Sequence, residues 1–75
     1  MNKKTRKELE SLISRLEGIG NRLQELSEEE EEKLYNLPES LQESERGQQF
    51  QEVADALSTS AESVEEAINA LMEIE

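Results

Sequence analysis

Apolar residues in the first third of the chain fall at Leu9, Leu12, Leu16, Ile19, Leu23 and Leu26, with 3-4-3-4-3 spacing and no exception. That spacing predicts an amphipathic helix with a coiled-coil-like seam, which Ile13 widens. Thr5 followed by Glu8 has the form of a capping box, so the helix is expected to begin near residue 5. The next seam positions are Glu30 and Lys33, so the apolar stripe stops inside the acidic run Glu28–Glu32. Ser27 with Glu30 repeats the capping pattern, which leaves a bend or restart there open. Leu34, Tyr35 and Leu37 precede Pro38, and proline disfavours helix for the residue before it. The first helix is therefore expected over about 5–36.

A linker with one short helix is expected over about 37–47. Pro38 suits its first turn and Gly47 a C′ position that ends it. From residue 48, Phe50, Leu57, Val64 and Leu71 recur every seven residues, with Ala54, Ala61 and Ile68 between them. Val53, Ala67 and Ile74 form a flank. This predicts a second helix over about 48–73, able to approach a neighbour closely through its alanines. The link is too short to retrace either helix, so an antiparallel hairpin follows. Each helix of a lone hairpin buries one stripe, so the expected fold is all-α: a single domain, 1–75, whose hairpins assemble as a four-helix dimer.

Composition narrows what such a fold can do. The 75 residues contain no Cys and no His, which removes disulfides and the usual zinc ligand sets. The commonest general base and the best nucleophile are missing too. The expectation is a protein that is not an enzyme and carries no metal or cofactor. No apolar run approaches the ~18 residues of a membrane span, and the chain reads as a soluble cytoplasmic protein.

Charge is unevenly distributed within the net −11. Lys3, Lys4, Arg6 and Lys7 make a basic start, whereas nothing beyond Arg46 is basic. Phosphate contact needs cations, so the body of the chain is not expected to bind nucleic acid. Glu52, Asp55, Glu62, Glu65 and Glu66 fall largely off the second seam and form a candidate surface for a basic partner. Solubility alone would also account for them. The run Glu28–Glu32 could mimic phosphates or hold a cation, but on a helix its carboxylates point in every direction, as on a solvated face. Arg46 with Ser44 is the candidate for an anionic ligand, against the plainer reading that Arg46 caps a helix or pairs with Glu43. Gly18 and Gly20 mark a bend, a ligand approach or close helix packing.

The stretch Asn36-Leu37-Pro38-Glu39-Ser40-Leu41-Gln42-Glu43-Ser44-Glu45-Arg46-Gly47, set between a Leu-rich and an Ala-rich acidic helix, resembles small acidic helical proteins of phages and prophages of Gram-positive bacteria. The start Met1-Asn2-Lys3-Lys4-Thr5-Arg6-Lys7 is similar to theirs as well. No residue inherits a role from that resemblance. It implies a setting, in which such proteins antagonise host defence by binding a host protein or sequestering its signal. The expected function is a non-enzymatic inhibitor of a basic host factor, acting through its acidic helical surface. The alternatives are a sponge for a signalling nucleotide, held by Arg46 or the Lys3–Lys7 cluster, and a scaffold that only self-assembles.

Overall fold

The computed structural model describes residues 1–74 and contains three helices: α1 (Lys3–Tyr35), α2 (Glu39–Gln42) and α3 (Glu45–Met72). It is an extended rod of 59 × 14 × 12 Å in which α1 and α3 pack along each other. Gly20 lies against Val64, and Ser27 against Ala54, so partners fall along α3 as residues rise along α1. The pair is antiparallel. The antiparallel pairing expected from charge, with Lys3, Lys4, Arg6 and Lys7 beside the acidic end that carries Glu65, Glu66, Glu73 and Glu75, brings those two ends together; Glu75 itself lies outside the described residues.

α1 begins earlier than its Thr5–Glu8 pattern implied. Asn2 is the N-cap, and its side-chain oxygen accepts from the Thr5 amide at 2.8 Å. Asparagine is among the best capping residues, and its cap outweighs the unfavourable placement of Lys3 and Lys4 at the positive end of the helix dipole, so the cap moves outward. The helix then runs unbroken through Gly18, Gly20 and Ser27. Ser27 does not restart it; its hydroxyl donates across the hairpin to the Ala54 carbonyl at 2.8 Å.

The packed seam of α1 differs from the one expected. Leu9, Leu16 and Leu23 are half-buried as expected, but Ile13, Gly20, Ser27 and Leu34 take the alternate positions. Leu12 and Ile19, expected in the seam, are 42% and 51% exposed, and Leu26 is half-buried. The reason is steric. Gly20 and Ser27 let α3 come close, opposite Val64 and Ala54, and that rotates the larger residues of the expected seam toward one flank. On α3 the seam is as expected: Phe50, Leu57, Val64, Ile68 and Leu71 are half-buried and Ala54 is sealed at 1% exposure. Past the acidic run α1 still packs, because Leu34 is buried and the Glu30 carboxylate accepts from the Lys33 ammonium at 2.7 Å.

The link also differs in detail. α1 closes at Asn36, whose amide donates to the Glu32 carbonyl at 2.9 Å, and Pro38 then caps the single turn α2. α3 starts at Glu45 rather than 48, with Ser44 as its N-cap. Gly47 is therefore not a left-handed C′ residue; no described glycine has positive φ. It sits in the first turn of α3, and a Cβ there would stand 2.0 Å from the Gln42 carbonyl oxygen. Glycine is required by the close approach of α2 to α3.

Candidate functional site: the acidic groove and the α3 surface

Two open clefts mark the surface. The larger, about 570 Å³, runs between the long helices and is lined by Glu17, Asn21 and Gln24 of α1 and by Glu62, Glu65, Asn69 and Met72 of α3, among others. Its floor is the seam, where Gly20, Ala61, Val64 and Ile68 contribute. The absent side chain at Gly20 lowers the α1 ridge; a Cβ there would meet the Val64 Cγ1 atom at 3.4 Å. The other is a shallow hollow among the exposed side chains of Lys3, Lys4, Arg6, Lys7 and Glu10, lined by two turns of α1 alone.

The expected partner-binding residues Glu52, Asp55, Glu62, Glu65 and Glu66 are all exposed. At 1.5 Å per residue they span about 21 Å of α3. Only Glu62 and Glu65 reach the groove. Glu52 and Glu66 share the outer side, two heptads or about four turns apart, and Asp55 accepts from the Gln51 side-chain amide at 2.9 Å. The ion pairs between described residues lie within α1: Arg22 with Glu25 and Glu29, at 3.2 and 3.6 Å, and Lys33 with Glu30. The α3 carboxylates thus have no neutralising base along their own helix after Arg46.

Ser44 and Arg46 stand together at the start of α3, each with a local partner. The Ser44 hydroxyl donates to the Leu41 carbonyl and accepts from the Gly47 amide, so it serves the link. The Arg46 guanidinium lies over the Phe50 ring, 5.8 Å from its centroid, in cation–π geometry. The run Glu28–Glu32 spreads around α1, with Glu30 and Glu31 half-buried and Glu28, Glu29 and Glu32 exposed. Among the described residues no group of three or more His, Cys, Asp or Glu is placed to hold a metal ion. No described helix is long and apolar enough to cross a membrane.

The α1 side of the groove escaped the sequence reading. Glu17, Asn21 and Gln24 gave no motif, because what joins them to Glu62 and Glu65 is the pairing of Gly20 with Val64. The usable signal was Gly20 beside the apolar stripe, combined with the antiparallel register. Searches against protein-family models, curated proteins and solved structures give no match to this chain.

Proposed function

We propose that this protein is a non-enzymatic binding module: two hairpins assemble and present their α3 carboxylates to a basic surface on another protein. The observation that carries this reading is the exposed set Glu52, Asp55, Glu62, Glu65 and Glu66 on a helix with no base after Arg46. Soluble helices ordinarily mix signs, since i,i+4 Glu–Lys pairs contribute ~0.2–0.5 kcal/mol each. An uncompensated face gains its neutralisation from a partner and steers that partner's approach. The linker resemblance supplies the setting, a phage or prophage protein that inhibits a host defence factor inside the bacterial cell.

The nucleotide-sponge alternative draws on Ser44, Arg46 and the Lys3–Lys7 cleft. Ser44 and Arg46 both have work within the hairpin, as cap and as cation–π partner, so the acidic surface is the stronger candidate. Capture of a tagged copy from a Gram-positive host lysate, at low and at high salt, tests the proposal. A basic host protein held at low salt and released at high salt supports it. A partner retained equally at both, or recovery of the tagged chain alone, contradicts it.

A further inference from the structure

The hairpin leaves one face uncovered. Leu12 and Ile19 on α1, Val53 on α3 and Ile74 just past it are 42–51% exposed, Tyr35 and the groove-lining Met72 are more exposed still, and Leu34 and Ala54 are the only described apolar residues that are buried. A compact monomer of this mass exposes about 4,700 Å²; this chain exposes 5901 Å². The excess, about 1,200 Å², matches what one partner contributes to a stable homodimer.

These residues share a side of the rod. On α1, Leu12, Ile19 and Leu26 each precede a seam residue (Ile13, Gly20, Ser27), whereas the groove residues Glu17 and Gln24 each follow one. On α3, Val53, Ser60 and Ala67 each precede a seam residue, and Glu65 and Met72 each follow one; Ile74 continues the seven-residue spacing just past the end of the helix. Helical geometry therefore puts Leu12, Ile19 and Leu26 of α1 and Val53, Ser60 and Ala67 of α3 opposite the acidic groove. Each stripe is also a palindrome. The α1 stripe reads the same from Ile19 outward, and the α3 stripe runs large-small-small-large about a point between Ser63 and Val64. Gly20 packs on Val64, so the two centres lie at one level along the rod.

We infer that a second copy of this chain covers this face about a twofold axis perpendicular to the helices, crossing at Ile19. This deepens the assembly proposed above by fixing its geometry. The axis sets Leu12 of one copy on Leu26 of the other, Ile19 on its own counterpart, and Val53 on Ile74. It also separates the two loop ends, each of which carries Glu28–Glu32, Glu39, Glu43 and Glu45 against Lys33 and Arg46. The loop end of one copy instead meets the Lys3–Lys7 end of the other. An axis along the helices would bury the same face but crowd both acidic ends together. At the rim, Arg15 comes level with Arg22 and Glu25 of the second copy, and Arg22 is already held by its own Glu25 and Glu29. The result is a rod with apolar faces inward and an acidic groove on each outer side.

The chain has no cysteine, so a nitroxide on Ser40→Cys, an exposed link position, reports the loop-to-loop distance. Dipolar spectroscopy on the full chain is expected to give about 55 Å, from twice the rise between Ile19 and the loop. A distance under about 25 Å, the span of neighbouring helices in one bundle end, overturns the transverse axis. Absence of dipolar coupling together with a monomer mass in sedimentation overturns the second copy itself. Glu62→Gln, Glu65→Gln and Glu66→Gln together leave the spin distance unchanged, so failure of partner binding and failure of this geometry are read separately.

Discussion

Gly47→Ala is the sharpest probe of the link, because helix propensity and packing give opposite signs. Gly47 lies in the first turn of α3, where alanine in a free helix would stabilise by up to ~1 kcal/mol. In the hairpin the new methyl carbon would stand 2.0 Å from the Gln42 carbonyl oxygen, 2.6 Å from its carbon and 3.0 Å from its Cα. These are backbone atoms, so no side-chain rotation relieves the clash, and the chain must shift by about 1 Å to restore a normal carbon contact. That shift opens the turn held by the Ser44 amide on the Leu41 carbonyl, at 3.1 Å, and by the Gly47 amide on the Ser44 hydroxyl. Overpacking of this kind costs ~1–3 kcal/mol and a lost cap ~1 kcal/mol. Net of the propensity gain, the expected destabilisation is about 1–3 kcal/mol. For a domain of this size that lowers Tm by about 4–8 °C per kcal/mol. Urea and thermal unfolding followed by circular dichroism, at matched protein concentration, measure it. An unchanged or higher Tm for Gly47→Ala would refute the close approach of α2 to α3.

Four further outcomes rest on three separate features. Gly18→Ala is expected to raise stability by up to ~1 kcal/mol, since a Cβ there meets nothing within 4 Å; a lower urea midpoint would place an unseen neighbour at that position. Ser27→Ala removes one interhelical hydrogen bond but leaves the Ala54 carbonyl its helical partner, so its effect stays within ~1 kcal/mol. Ser27→Leu overpacks a site that is 2% exposed and is expected to lose ~1–3 kcal/mol, and a gain in its urea midpoint would show that the helices do not meet closely there. Raising NaCl from low to moderate concentration is expected to increase Tm, because it screens repulsion within a chain of net charge −11; a fall on adding salt would show that attractive pairs dominate.

The helices and their antiparallel pairing were legible in the sequence because seven-residue spacing and the short link state them directly. The rotation of α1 was not. Large residues at 12, 19 and 26 outweighed the small ones at 20 and 27 in the pattern, yet the small ones decide how closely two helices approach. The same blindness hid the groove, which exists because Gly20 sits opposite Val64 and has no local motif on α1. At the link, Gly47 looked like a terminator because glycine usually ends helices, whereas here it begins one under a neighbouring carbonyl. The base-free stretch after Arg46 needed no structure to find. What the fold adds is that Glu62 and Glu65 border a groove with Glu17, while the apolar flank faces the other way.

The most direct test of the binding role compares capture from host lysate by the wild-type chain and by a variant carrying Glu62→Gln, Glu65→Gln and Glu66→Gln, read by quantitative mass spectrometry. The expected result is one or more basic host proteins recovered with the wild type and reduced at least tenfold with the variant, whose helix content and mass are unchanged. Equal recovery with both chains would contradict recognition through the acidic surface of α3.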